Sequence, residues 1–280
     1  MAGEKIFLRK LRRIERLVNK RINRIVKQIK NKKLLVAVSG GKDSMFLLYK
    51  LHEFGFEFSV LHLFLGYGEF SQAQLETVKR ACSELGIELH IEDLSWLRIP
   101  EAAKLRGRKV CSVCGVAKRY YFNKVTRELG FEVLVTAHNL SDIYRFLLIN
   151  LSTGTLEYSA RNLPCKLPAH PKQIIMAKPL YFVPESWIEL LVQRYKIPHV
   201  TLRCPYIERN YWKEIVRQIE QQDPTILYTS VKFFLEKYAP LIPVGEEHLK
   251  DCKLCGEPTS SKDGICTFCR IFKLNRGEKK

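Results

Sequence analysis

The sequence predicts an α/β protein: a doubly wound, mostly parallel sheet with a basic helix ahead of it and a small cysteine-held finger behind it. Three observations carry this prediction. From Leu34 onward, short wholly apolar runs alternate with amphipathic stretches, the pattern of parallel strands buried on both faces and joined by helices. The first apolar run ends in a two-glycine turn, Ser39-Gly40-Gly41, that opens into a helix-like stretch. Beyond residue 245 the apolar periodicity fades, and two Cys-x-x-Cys pairs take its place.

The elements follow in order. Phe7, Leu11, Ile14, Val18, Ile22, Ile25 and Ile29 recur at three- and four-residue steps, which makes residues 1–33 a long amphipathic helix with one apolar docking stripe. Strands are expected at 34–38, 58–65, 87–91 and 131–136, and helices at 45–54, 71–85, 115–129 and 141–151. Leu75, Val78, Ala81, Cys82 and Leu85 form the buried side of the helix over 71–85. Residues 160–185 are rich in Pro and read as irregular; helices return at 185–195, 208–221 and 224–238. The segment from 245 is too short to fold on hydrophobic burial alone and needs a staple. The divisions are therefore 1–33, a basic helix; 34–206, the sheet domain; 207–244, a helical extension; and 245–280, the finger and a basic tail.

Composition excludes several classes. With 280 residues, 46% of them hydrophobic, the chain can bury a sizeable core and is wrong for extensive disorder. No apolar run approaches the ~20 residues of a membrane span, and no small-residue cleavage site follows the basic N-terminus. A cytoplasmic location is expected, where nine cysteines serve metals or chemistry more often than disulfides. The net charge of +18 is concentrated at the ends: residues 1–33 hold thirteen Lys/Arg against Glu4 and Glu15, and Arg270, Lys273, Arg276, Lys279 and Lys280 close the chain. Such termini are the footprint of a polyanion partner, or else a solvated surface.

Ser39-Gly40-Gly41-Lys42-Asp43-Ser44 between a strand and a helix makes a phosphate cradle. Adjacent glycines let backbone N–H groups approach an anion, and the helix N-terminus adds partial positive charge. Ser39 and Ser44 offer hydroxyls and Lys42 a charge, while Asp43 beside an anion suits a magnesium ligand or a helix cap. The spacing is not that of the GxxxxGK[ST] loop. Val38 to Ser44 instead resembles the pyrophosphate loop of the PP-loop ATP pyrophosphatase superfamily. That resemblance implies cleavage of ATP between its α and β phosphates to adenylate a substrate oxygen.

The cysteines narrow the resemblance. Cys111 and Cys114 open the helix after the third strand, and Cys204 stands in Arg203-Cys204-Pro205-Tyr206. Three thiolates from separate places can hold a metal or cluster with one position open. Together with Lys118, Lys178-Pro179-Leu180, Pro184-Glu185 and Thr136-Ala137-His138-Asn139-Leu140-Ser141-Asp142, they resemble the TtcA/TtuA group of tRNA 2-thiolation enzymes from about Leu34 to Cys269. The resemblance implies a 4Fe-4S cluster on Cys111, Cys114 and Cys204. It implies an adenine site near Ala37, Leu63 and Ala137, with phosphates on residues 38–44 and magnesium. Lys118 would stabilise developing phosphate charge and Asp142 would serve protons or metal. A zinc knot, free thiols or a cysteine persulfide are the other readings of the three thiols.

Cys252, Cys255, Cys266 and Cys269 form two Cys-x-x-Cys knuckles, the pattern of a closed zinc site that supplies folding energy. Cys82 and Cys165 remain as a core and a loop cysteine. Two departures from the resembled group stand out. Ser141 replaces the first acid of a His-Asn-Leu-Asp-Asp pattern, and no cysteine precedes Cys82, where many relatives carry another zinc finger. A helix-capping role for Ser141 or Asp142 is the plain alternative to catalysis. The reaction to expect is adenylation of the C2 oxygen of a tRNA pyrimidine and its replacement by sulfur, with 2-thiouridine ahead of 2-thiocytidine. The partners to expect are tRNA, a sulfur donor such as a small thiocarboxylated carrier protein, and a second copy of the chain in a homodimer. Another PP-loop ligase, or a tRNA-binding module with a decayed ATP site, are the alternatives.

Overall fold

A computed structural model describes residues 2–208, 211–243 and 249–273. Helix α1 (Ala2–Val26) runs into a 3-10 turn and then β1 (Leu34–Ala37), α2 (Lys42–Glu53), β2 (Ser59–Phe64), α3 (Glu69–Leu85) and β3 (Leu89–Asp93). Next come α4 (Ile99–Leu105), α5 (Val110–Glu128), β4 (Val133–Val135), α6 (Leu140–Ser152), α7 (Leu156–Ala160), β5 (Cys165–Lys166) and β6 (Ile175–Ala177). Helices α8 (Glu185–Tyr195), α9 (Tyr211–Gln222) and α10 (Pro224–Phe233) follow, and the finger comprises β7 (Lys250–Asp251), β8 (Pro258–Thr259) and α11 (Thr267–Phe272).

The sheet order is β3-β2-β1-β4-β6-β5, parallel throughout except for the edge strand β5. Alternation along the strands feeds two cores. Val36, Val60, Val133 and Val135 face α1, α2, α3 and α8, whereas Leu35, Leu61 and Leu63 face α4, α5 and the finger. Both faces of the sheet are thus covered, which is why the strands read as continuous apolar runs. Helices α9 and α10 pack on α6 through Val216, Leu227, Val231, Leu140 and Ile143. Among the described residues, no helix is long and apolar enough to cross a membrane.

Several boundaries move. The helix expected at 115–129 begins at Val110, so both Cys111 and Cys114 sit inside it, and α4 lies where no element was anticipated. The stretch 160–185 is not wholly irregular: it supplies β6, paired with β4, and the edge strand that carries Cys165. Two- and three-residue strands are too short to display a period, and their pairing is settled by neighbours distant in sequence. The stripe of α1 is buried from Leu11 to Ile29, but Phe7 is 52% exposed, a turn beyond the last packed residue. The helix is pinned by Tyr195, whose hydroxyl donates to Glu15 at 2.5 Å, and by Arg21, which donates to the Phe182 carbonyl and lies over the Tyr228 ring at 4.2 Å. Of the terminal charges, Arg276, Lys279 and Lys280 lie outside the described residues.

Candidate active site and metal centres

Strand order reverses between β1 and β4, and the crevice beyond their carboxyl ends is where open α/β sheets bind ligands. β1 ends at Ala37 and leads into the loop 38–41 and the N-terminus of α2; β4 leads into Thr136, Ala137 and His138. Gly40 has φ +80°, and a Cβ there would stand 3.0 Å from the Gln74 carbonyl of α3, so glycine is required by both conformation and space. Ser44 accepts from the Ser39 N–H at 3.2 Å and donates to the Gly41 carbonyl at 2.9 Å, which closes the loop into a fixed cradle.

Lys42 is held over that cradle by carboxylates. Its ammonium donates to Asp43 at 3.1 Å and to Glu185 at the start of α8. Burial alone would lower the Lys42 pKa; Asp43 and Glu185 outweigh it and keep the charge. For Asp43 the balance runs the other way: burial, with Glu185 and Asp142 adding to it, raises its pKa to about 6 in spite of Lys42. A carboxylate destabilised chiefly by burial, with two further carboxylates near it, suits a bound divalent cation. Asn139 accepts from the Asp142 N–H at 3.0 Å, so Asn139 is the cap of α6 and neither Ser141 nor Asp142 plays that part. Asp142 is free to face the crevice, steadied by Arg145 at 2.8 Å.

Ser141, which departs from the acid of the resembled group, is met by a carboxylate from a distant helix. Its hydroxyl donates to the Glu220 carboxylate, and the other Glu220 oxygen accepts from the Ser186 N–H at 2.7 Å. Glu220 is only 5% exposed. A carboxylate from α9 thus enters beside Ser141 and caps the first turn of α8, from which Glu185 reaches Lys42. Nothing in the local sequence around Ser141 announces Glu220, which lies 79 positions away.

Around Val38 the strand ends are closely tied. His62 Nδ1 lies 2.8 Å from the Val38 carbonyl, and its Nε2 is buried without a partner. Burial lowers the His62 pKa, so the ring is neutral near pH 7. Leu63 follows on β2, and Ala137 approaches from the β4 side beside His138, whose Nδ1 is 3.0 Å from Thr136 Oγ1. Lys178, just past β6, donates to Asn162 at 2.7 Å, and burial brings its pKa down to about 8.

Cys111, Cys114 and Cys204 meet at the outer wall of the crevice. The Cys111 thiol donates to the Tyr206 carbonyl at 3.5 Å, which joins the first turn of α5 to the Cys204-Pro205-Tyr206 segment. Lys109 braces the same junction through Glu208 at 2.7 Å. Burial raises the Cys204 pKa; Cys111 and Cys114 push it further, and Lys118 draws it back. The charge of Lys118 is felt at His62 and His138 as well.

The finger is a different kind of centre. The thiols of Cys252, Cys255, Cys266 and Cys269 all lie within 4.8 Å of one another, and the Cys255–Cys266 separation is 3.7 Å. Four sulfurs about 2.3 Å from one tetrahedral ion would be about 3.8 Å apart, so the cage fits zinc. Burial opposes ionisation of Cys252, but backbone N–H donors from Cys266, Leu254 and Cys255 bring its pKa to about 6. The finger rests on α5: Phe268 stacks on Tyr120 at 3.8 Å between centroids, and Glu257 is paired with Arg127. Among the described residues this is the only such four-thiol cage. Cys111, Cys114 and Cys204 do not close to that span, as befits a multi-atom group with corner ligands, and the buried Tyr67 hydroxyl beside Cys114 has no regular hydrogen bond.

Comparison with known proteins agrees with this architecture. Residues 14–219 match the model of the PP-loop domain. The chain belongs to the PP-loop family. Within it, the chain is 36% identical to the tRNA-5-methyluridine(54) 2-sulfurtransferase of Thermotoga maritima, over 93% of this chain and 87% of that protein. It is 37% identical to the enzyme of the same name from Thermus thermophilus, over 86% of this chain and 76% of the relative. This PP-loop protein therefore belongs with the tRNA 2-sulfurtransferases. The U34-tRNA thiolase NcsA of Methanococcus maripaludis, solved with its [4Fe-4S] cluster, has the same fold: TM-score 0.74 over 92% of this chain and 87% of that one, at 23% identity.

Proposed function

We propose that this protein is an ATP-dependent tRNA sulfurtransferase that replaces the C2 oxygen of 5-methyluridine 54, the substrate named for the relatives above. One observation carries the reading. The chain brings a phosphate cradle and a three-thiol cluster into one sheet domain, and the charge of Lys118 is felt both at Cys204 and at His138 beside the strand ends. A ligase that needed only ATP would have no use for the wall.

ATP would lie with its phosphates on residues 38–44 and its adenine over Ala37, Val38 and Leu63, with Ala137 closing the other side. Asp43 and Asp142 would hold magnesium, which neutralises phosphate charge. The base oxygen attacks the α-phosphorus and pyrophosphate leaves, and the Ser39, Gly40 and Gly41 backbone with Lys42 stabilises the departing charge. Lys118 meets the charge that develops on the α-phosphate facing the thiols, and Asp142 accepts or returns a proton at the base. Sulfur then bonds to C2, and AMP leaves with the former base oxygen. Cys111, Cys114 and Cys204 would hold a 4Fe-4S cluster, whose chemistry is to present sulfur at an iron that no protein ligand fills. The Cys252, Cys255, Cys266 and Cys269 cage would hold zinc and keep the finger folded against α5. A cytoplasmic location, a small thiocarboxylated carrier as sulfur donor and a homodimer complete the reading.

The test is anaerobic turnover with ATP and unmodified tRNA. AMP and pyrophosphate should form only when tRNA is present, and nucleoside mass spectrometry should find 5-methyl-2-thiouridine at position 54. Absence of AMP from iron-loaded protein with that tRNA would overturn the reading.

A further inference from the structure

The Tyr67 ring belongs to the core beneath α4 and α5, and Cys114 and Cys204 pack against that same core. Tyr67 follows β2 in Leu65-Gly66-Tyr67-Gly68; Gly66 has φ +70°, and a Cβ there would clash with the Ser95 side chain at 2.6 Å. That constraint fixes the turn which aims Tyr67 inward. The Tyr67 N–H donates to the buried Ser71 hydroxyl at 2.9 Å, and its ring meets the Tyr206 ring edge to face, 4.9 Å between centroids. Tyr67 as a whole is 8% exposed. Its hydroxyl oxygen is fully buried and makes no hydrogen bond of ordinary geometry, yet it faces the Cys114 thiol with Cys204 beside it.

A buried phenol hydroxyl whose one neighbouring acceptor is a thiol is poorly satisfied. Filling the site with an apolar ring would avoid this, so a hydroxyl kept there needs a stronger acceptor. Thiols are weak acceptors; thiolates bound to iron are stronger ones, and hydrogen bonds to cluster sulfurs raise the reduction potential. We infer that Tyr67 is a positioning residue for the cluster: its hydroxyl donates to the sulfur of Cys114 once that sulfur is an iron ligand, and its ring holds Tyr206 and the Cys204 segment against it. This rests on the cluster reading above. A tyrosine in this place raises the potential of the cluster and holds the Cys114 ligand in one orientation.

The experiment compares anaerobically reconstituted full-length wild type with Tyr67→Phe, which keeps the ring and removes only the donor. Iron content and absorbance near 400 nm are read first, then the reduction potential by a titration followed by electron paramagnetic resonance, and the iron–thiolate stretches by resonance Raman. The expected result is equal iron in the two proteins, a more negative potential in Tyr67→Phe and stiffer iron–thiolate stretches. Incorporation of 3-fluorotyrosine at position 67, a stronger donor of nearly the same shape, should move the potential in the positive direction, and it decides the matter if Tyr67→Phe fails to hold iron. Tyr206→Phe, which leaves the Tyr67 hydroxyl in place, should leave the potential where it was. Iron-loaded proteins with the same potential and stretches whatever stands at position 67 would overturn this inference alone. A wild type that takes up no iron would overturn the cluster reading and the inference with it.

Discussion

Cys111 and Cys114 on α5 share their spacing with Cys252 and Cys255 on the finger, but the two pairs meet different company. The finger pair faces a second knuckle ten residues on, and all four thiols close to within 4.8 Å. Short-range chain reversal brings them together, so the cage is local and complete. The α5 pair is met by Cys204, ninety residues after Cys114, on a segment that the folded sheet delivers. These three thiols do not close to the finger's span, and in the proposed function they hold the cluster. Identical local spacing thus yields a compact four-thiol cage in one place and a three-thiol cluster in the other, and the deciding variable is the number and reach of the remaining thiols.

The strongest way to break that comparison is Cys204→Ala. Thiolation should fall to background and iron should be lost, with the melting temperature changed by no more than about 2 °C, because a half-buried thiol contributes little packing. Calorimetry beside nucleoside analysis checks both halves; a large loss of stability would make the three-thiol centre structural. Cys266→Ser should do the reverse, opening residues 252–273 to hydrogen exchange at a cost of several kcal/mol. Part of the thiolation should go with it, since Phe268 and Glu257 brace the helix that bears Cys111 and Cys114.

Asp43 gives an effect with a sign set by pH. Its pKa of about 6 exceeds the ordinary 3.8, so the native state binds this proton more tightly than the unfolded chain does. The cost to stability is therefore full above about pH 6 and is relieved as pH falls toward 3.8. Asp43→Asn should raise stability at pH 7.5 by up to about 3 kcal/mol, much less at pH 4, and should abolish ATP cleavage. Chemical denaturation at the two pH values reads the difference. Glu220→Gln weakens one charged bond at Ser141 or Ser186 and should cost about 1–2 kcal/mol, with the KM for ATP raised through Glu185 and Lys42. The smallest effect belongs to α1. Replacing the exposed Arg9, Arg12 and Arg16 with Gln should weaken tRNA binding by a similar factor for every sequence and flatten its salt dependence. An unchanged salt slope would leave α1 as a packing element.

Much of the fold is legible from particular residues. The apolar run 34–38 reads as a buried strand and forms one over Leu34–Ala37, the two-glycine turn is there with Gly40 at φ +80°, and the helix read over 185–195 is Glu185–Tyr195. The wall and the cradle were legible as motifs, and so was the four-thiol cage. Phe7 was misread because periodicity tells which face is apolar and not where the partner surface stops. β6 was missed because three residues cannot show a period. Glu220 and Tyr67 are not legible for a related cause: each acts through a neighbour remote in sequence. For Tyr67 a signal existed in the glycines on either side of it, which mark a side chain that the backbone has been bent to aim.

What the sequence determined by itself was the chemistry on offer: a two-glycine phosphate turn after an apolar strand, four thiols in knuckle spacing, three more with an opening, and a cationic helix. These depend on short-range geometry, which residue type and spacing control. Only the tertiary structure decided how they are used. Strand order put the cradle at the reversal point between β1 and β4, and the return of the chain after α8 set Cys204 against α5. The same packing carried the Glu220 carboxylate to Ser141 and the Tyr67 hydroxyl to Cys114. Such meetings rest on burial shared among segments far apart in the chain, and no local pattern encodes them.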